Sequence, residues 1–355
     1  MSLYERAALT RALARLPGLD RVHADDLEEL DVDGIAHAHV RVRGSGRLVR
    51  IPRFSQVASD PRGHLDYQAA CFARAAAAGR TPALDAVLPP VDGLPMGALV
   101  VEEIVGRVPR LPDDLPALAE ALARLHALPL PSSSERPPLV DHADDPLAGA
   151  RAHLGRQLAR LDEAVAQHII APAARAILRE EADALEALLA PLRGTPQPAS
   201  LIAFDCHPGN FLIDAAGRAI LVDLERVQYG APASDLAHAS LPTSTLWDRR
   251  VNATLAPSDL ARFYRDYRGH LTPEVATALK PWLASYRRLI FLRSTTWFVR
   301  FLAETRAGRW SAGSLDADFL AAVERRIQFL LAPAQLAAMR AEWRAADPFD
   351  PAVDF

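Results

Sequence analysis

The apolar spacing of this chain changes period once, near Gly106, and that change limits what the chain can fold into. Before it, short runs alternate with period two. Val40 and Val42 alternate with His39, Arg41 and Arg43, which is the signature of a half-buried strand. Arg47-Leu-Val-Arg-Ile51 continues the pattern, and Gly44-Ser-Gly46 between the two reads as a hairpin turn. Leu27 to Leu30, Leu84 to Leu88 and the apolar Ala98-Leu-Val-Val101 add further short strands. Tyr67 to Gly79 is alanine-rich and helical, closing at a glycine as a C-cap would. After Gly106 the spacing is that of amphipathic helices: residues 115, 118, 122, 125 and 128 are apolar along Leu115–Leu128. Leu147 to Leu192, with a break at Pro172, and the stretch 258–345 follow the same period, as does Leu3 to Leu16 ahead of the strands. Between them Pro129 to Pro138 reads as a loop, and no internal repeat occurs. The expectation is an α+β chain of two lobes, a sheet-rich one over residues 1–103 and a larger helical one over 104–355.

Composition narrows the function classes. At 355 residues the chain exceeds what one hydrophobic core usually spans. With 50% hydrophobic and 24% charged residues it has the balance of a soluble globular protein. A net charge of −4 argues against general attraction to nucleic acid or to an anionic membrane. Cys71 and Cys206 are the only cysteines, without metal-ligand spacing, which argues against a disulfide framework or structural zinc and for a reducing compartment. Met1 to Leu19 lacks a signal-peptide apolar core, and no apolar run is long enough to span a bilayer, so a cytoplasmic location is expected. Lys280 is the only lysine. Nothing in the sequence speaks to oligomeric state.

Chemistry concentrates in residues 201–225. Phe211 to Ile213 and Ala219 to Val222 are two apolar strands, and Asp214 to Arg218 supplies the turn between them. Asp205 and Asn210 precede this hairpin and Asp223 ends it, so folding the hairpin returns Asp223 to Asn210. Two carboxylates and an amide meeting at one edge can hold a hard divalent cation through oxygen. The same layout is that of the kinase signature: an Asp five positions before an Asn, then a second Asp after a short hairpin. There the first Asp accepts the proton of the acceptor hydroxyl, and the Asn and second Asp hold magnesium.

Asp205-Cys-His-Pro-Gly-Asn210-Phe-Leu-Ile-Asp, followed by Leu221-Val-Asp-Leu-Glu225, resembles the catalytic and metal motifs of the aminoglycoside-phosphotransferase and choline-kinase family. Tyr229-Gly-Ala-Pro-Ala-Ser-Asp235 and Leu122-Ala-Arg-Leu-His126 extend the likeness, which runs over roughly residues 25 to 305. The resemblance implies a two-lobed protein-kinase-like fold, Mg2+ and ATP as cofactors, and a small-molecule hydroxyl substrate such as an amino alcohol, sugar or aminoglycoside. It implies catalysis by Asp205, metal binding by Asn210 and Asp223, and bracing by Asp235 with His126 behind the site. Adenine would be held by backbone around Glu102 and Ile104, and Arg50 would take the place of the phosphate-gripping lysine. Gly34, within Asp31–His37, stands where the family has its phosphate loop. Two departures stand out: Ala203-Phe204 replaces the usual His-Gly before Asp205, and Gln68 stands where a helix Glu partner of Arg50 is expected. Those departures motivate an alternative, a weak or inactive kinase fold that binds nucleotide or a partner as a regulator. A metal-dependent hydrolase using Asp205, His207 and Asp223 ranks last, since a second histidine at helical ligand spacing is missing.

Several residues keep two readings. His207 either touches substrate or phosphate or hydrogen-bonds its own loop. Glu225 either reaches a metal or is a solvated strand-end charge. Cys206 reads as a packing residue. Trp297, with Phe298, Phe301 and Trp310, reads as core, the alternative being a box for a cationic substrate. The acidic stretch Asp347 to Asp354 is either a disordered end or a contact for such a substrate.

Overall fold

The alternating residues form three antiparallel strands, β1 (Leu27–Leu30), β2 (His37–Val42) and β3 (Arg47–Pro52), in a computed structural model that describes residues 3–30, 34–55, 60–308, 316–346, 348–353 and 355. Asp31 to Asp33 of the expected phosphate loop, Trp310, Asp347 and Asp354 lie outside the described residues. With β4 (Leu84–Leu88) and β5 (Ala98–Glu102) the strands make a five-stranded sheet of order β1-β2-β3-β5-β4. One face sets Val40, Val42, Val49, Ile51 and Val100 on Leu9 and Leu13 of α1 (Arg6–Leu13). The other sets Leu99 and Val101 with Leu65 and Phe72 of α2 (Pro61–Ala75), and Leu48 packs against them. Side chains alternate across a strand, and His39 lies opposite Arg50 in the register. Arg50, His37 and His39 therefore share the face that carries Leu48, turned toward α2.

Helix α2 begins earlier than the spacing predicts. The Asp60 side chain caps it by accepting the Gly63 N–H at 2.8 Å, and Pro61 fits the first turn. Past a short 3₁₀ turn the chain leaves through Gly79 in the left-handed region, φ 62°.

Among the described residues, ten further helices succeed each other in the second part: α3 (Leu115–His126), α4 (Pro146–Leu158), α5 (Leu161–Ala166), α6 (Pro172–Leu189), α7 (Pro232–Ser240), α8 (Pro242–Thr245), α9 (Pro257–Arg268), α10 (Pro273–Leu279), α11 (Leu283–Arg306) and α12 (Ala317–Leu330). An eleventh, α13 (Pro333–Arg344), follows. The break expected near Pro172 is real, with the proline at the start of α6. The long α11 lies centrally, against α4, α6 and α7, and its buried Arg287 pairs with Glu342 of α13 at 2.5 Å. One apolar cluster runs from α2 and β5 into these helices. Among the described residues, no helix is long and apolar enough to cross a membrane.

Two small antiparallel pairs interrupt the helices. β7 (Phe211–Ile213) and β8 (Ala219–Leu221) are the expected hairpin, with Phe211 opposite Leu221. β6 (Ser200–Ile202) pairs with β9 (Gln228–Gly230), whose three buried residues have no alternation to betray a strand. The segment leaving β5 is strapped to the β7–β8 hairpin and to the turn between β2 and β3. Arg107 and Ile213 exchange N–H···O bonds of 3.0 and 2.7 Å, and Glu103 N–H donates to Gly46 O at 2.8 Å. A Cβ added at Gly106 would stand 2.7 Å from the Ile213 carbonyl oxygen, so only glycine permits this approach. Gly106→Ala is expected to push the strap off β7 and lower unfolding free energy by about 1–3 kcal/mol. A urea midpoint that does not move in the variant would show that the strap tolerates the methyl group.

Candidate active site

The loop that follows β6 is fixed by one buried carboxylate. Asp235, in the first turn of α7 and without exposed surface, accepts the N–H groups of Ala203 at 2.6 Å and Phe204 at 3.0 Å. His126 Nε2, at the end of α3, lies 3.1 Å from the same carboxylate, and its Nδ1 is 2.8 Å from the Tyr267 hydroxyl. A buried charge is tolerable when it is met by hydrogen bonds of this kind. Cys206 is fully buried against the same helix, its Sγ 3.3 Å from Asp235 O, and burial pushes its thiol well up. Phe204, at the second position of the departure from His-Gly, has φ 63°, a left-handed conformation that costs a non-glycine residue roughly 1–2 kcal/mol. Its ring carries two guanidinium groups, Arg293 of α11 at 4.3 Å and Arg226 at 5.2 Å from the centroid. Arg293 Nη2 also donates to the Phe204 carbonyl at 3.0 Å.

The Asn210 side-chain N–H donates to the main-chain oxygen of Asp205 at 2.9 Å, which leaves its Oδ1 facing away from that bond. Val222 N–H donates to Asn210 O at 2.9 Å, so the hairpin sets Asp223 beside Asn210. The Asp205 side chain is 44% exposed. Desolvation holds its carboxyl above the usual range; His207 lowers it and the charges of Asp223 and Glu225 raise it further. His238 Nδ1 lies 3.8 Å from Asp205 Oδ1 but accepts the Cys206 N–H, and burial, Arg293 and His207 keep that imidazole neutral. His207 stands edge-on to His238, with ring centroids 6.4 Å apart and its buried Nδ1 unbonded.

Arg50 reaches the hairpin from the sheet. It donates to Asp223 Oδ1 at 2.6 Å and to Val222 O at 2.9 Å, while its buried Nε has no hydrogen-bond partner. Burial alone would raise the Asp223 carboxyl, but Arg50, His37 and His39 hold it down at about 2. The expected pairing of Arg50 with Gln68 is not found. Gln68 instead bonds two histidines, Nε2 of His64 and of His37, each at 2.9 Å. The reason is the position of Gln68 on α2, which aims it at the start of β2, while Asp223 occupies the guanidinium. His37 Nδ1 in turn lies 2.8 Å from Glu225 Oε2, so Glu225 is buried in a network rather than solvated. One ligand atom from each of His37, Asp223 and Glu225 lies within 4.8 Å of the others. This donor set, two carboxylates and an imidazole, is mostly oxygen and suits a hard divalent cation.

Other expected residues sit further out. Glu102 has an exposed side chain, and its N–H donates to Ala83 O at 2.9 Å; the Ile104 N–H makes no backbone bond among the described residues. Gly34 is half-buried just before β2. Trp297 on α11 is half-buried in an aromatic cluster with Trp247, Phe298 and Phe301, at centroid distances of 5.4 to 5.7 Å. Sequence reasoning passed over His37 and Arg293, and also Gly209, where a Cβ would stand 2.1 Å from the Asp248 carboxylate. Only tertiary packing brings His37 and Arg293 to the site. The glycine signal was present inside the motif itself.

An antiparallel sheet joined to a mainly helical body is the protein-kinase-like fold of small-molecule kinases. A choline kinase from Cryptosporidium parvum Iowa II superposes with a TM-score of 0.62 at 13% identity, covering 95% of this chain and 97% of that one. A choline/ethanolamine kinase family protein from Mesorhizobium loti gives 0.55 at 20% identity, covering 94% and 98%. The GDP complex of aminoglycoside 2'-phosphotransferase-IIIa gives 0.57 at 17% identity, covering 94% and 99%. The sequence profile of the phosphotransferase enzyme family matches residues 27–276, and the chain belongs to that family. No curated protein matches the sequence.

Because Asp235 meets donors on every side, Asp235→Asn turns an amide N–H toward one of them. The expected loss is about 2–4 kcal/mol of stability, read as a fall in denaturant midpoint. A midpoint unchanged from wild type would mean that the loop is held by other contacts.

Proposed function

We propose that this phosphotransferase moves the γ-phosphoryl group of ATP to a hydroxyl of a small molecule, within the range of amino alcohols, sugars and aminoglycosides. The observation that carries the reading is the convergence of Asp205, Asn210 and Asp223 through the bonds Asn210 to Asp205 O and Val222 to Asn210 O. In this reading residues 1–103 form the nucleotide-binding lobe and 104–355 the lobe that holds the acceptor.

Asp205 orients the acceptor hydroxyl and accepts its proton. Asn210 and Asp223, with Glu225 held in place by His37, would hold Mg2+. A divalent cation there supplies neutralisation of charge on the phosphoryl group. Arg50 suits the phosphates, since its buried, unbonded Nε can be satisfied by a phosphate oxygen. In taking up phosphate it would loosen its grip on Asp223, which ties nucleotide binding to release of that carboxylate. The main chain of Glu102 and Ile104 would receive adenine, and Gly34 the phosphate loop's approach. Asp235 and His126 keep Asp205 in register. His207 and Trp297 lie on the acceptor side.

Asp205→Asn keeps size and most hydrogen bonds but removes the proton acceptor. Turnover should fall on the order of a hundredfold or more while Mg-ATP affinity holds; equal turnover in variant and wild type would remove the base role. The base is active only when ionised, and desolvation by the surrounding loop, with the charges of Asp223 and Glu225, raises this carboxyl although its side chain is partly exposed. The acid limb of kcat/KM should therefore titrate above the usual Asp value of about 4, activity being lost as pH falls through it. A limb at or below that value would contradict the assignment.

Asp223→Ala should abolish the Mg2+-dependent part of stabilisation by nucleotide. The test is Tm with nucleotide alone and with Mg2+ added; an undiminished metal increment in the variant places the metal elsewhere.

A further inference from the structure

One guanidinium, that of Arg293, lies close enough to Asp205 to act on its carboxyl. Arg293 projects from α11, one helical turn before Trp297, and is half-buried. Its guanidinium carbon lies 4.3 Å from the centroid of the Phe204 ring, and its Nη2 donates to the carbonyl of Phe204, the residue immediately before Asp205. Successive Cα atoms are about 3.8 Å apart, so this charge stands close beside the carboxyl that receives the acceptor hydroxyl. Among the described residues no carboxylate forms an ion pair with Arg293. The acidic groups it feels, Asp205 and Asp235, act on it only through space.

A guanidinium stays charged at any pH the protein meets, and withdrawing it from water without a counter-charge is unfavourable. Asp248, the other carboxylate near this loop, is buried and bound to Arg250 at 2.5 Å, so it does not offset the charge. Phe204 adopts a left-handed backbone conformation that a glycine would take without strain, and its ring is what holds Arg293 in place. The strain persists together with the arginine it positions.

We propose that Arg293 is a specificity-determining residue that binds an anionic group, a carboxylate or a phosphate, on the acceptor. The preferred substrates are then hydroxy acids or phosphorylated alcohols rather than cations. This deepens the kinase reading and rests on it for the placement of the acceptor at Asp205. A guanidinium fork meets either anion through paired N–H groups, with its aliphatic stem and Trp297 beside the carbon skeleton. A quaternary ammonium or polyamine placed there would face Arg293 with like charge.

The experiment measures thermal shifts of the full chain saturated with Mg-ADP, on titration with glycerate, glycerol 3-phosphate, choline and kanamycin. Glycerate or glycerol 3-phosphate is expected to stabilise the wild type, the stronger of the two identifying the head group, and choline and kanamycin are not. Arg293→Gln should weaken the anion response on the order of tenfold or more yet keep the shift produced by Mg-ADP, and Arg293→Lys should recover part of it. The proposal is overturned if neither anion stabilises the wild type, if the cations do so instead, or if Arg293→Gln binds the anions as well as wild type does. A wild type that responds to the anions through Arg293 but not to Mg-ADP would sink the kinase reading and leave the anion site standing.

Discussion

A single carboxylate with no exposed surface decides whether this site exists. Asp235 remains a charge in the core because two main-chain N–H groups and an imidazole converge on it. Those two N–H groups belong to the residues immediately before Asp205. The interaction that makes the buried charge tolerable is therefore the one that fixes the loop's direction. Remove the charge, and Phe204 has less reason to remain in a left-handed conformation. The aromatic shelf under Arg293, the exit angle of Asp205 and the seat of Asn210 follow from that one bend.

A second set of contacts links the sheet to the hairpin. Arg50 from β3 grips Asp223 and Val222, and His37 from β2 grips Glu225. Both come from one sheet face because their strands pair with His39 opposite Arg50. The two pairs lie side by side, so the acidic residues of the hairpin are oriented by the sheet even before any phosphate arrives. On the helix side Gln68 bonds His64 and His37, and through His37 its influence reaches Glu225 rather than Arg50.

Much of this was legible in the residues. Alternation placed Val40, Val42, Val49 and Ile51 on one face and thereby turned Arg50 to the other. The hairpin was visible because Phe211–Ile213 and Ala219–Leu221 flank a polar turn. What was hidden depends on contacts distant in sequence. β9 is three buried residues whose partner, β6, lies across the whole catalytic hairpin. The partners of Gln68 depend on how α2 is seated, which a helix's own period does not reveal. His37 read as the end of a loop, and Arg293 was not singled out within the helical stretch 258–345. Their place at the site is a product of packing.

The arginine in β3 has a consequence for chemical probing. Reagents that map nucleotide sites by acylating an amine near the phosphates depend on a lysine that can shed its proton. A guanidinium does not do so at physiological pH. The chain's one amine-bearing side chain, Lys280, is exposed in the turn between α10 and α11. On the proposed placement of the phosphates at Arg50, a survey by such labels would pass this chain over, whereas a dicarbonyl reagent selective for arginine would compete with nucleotide.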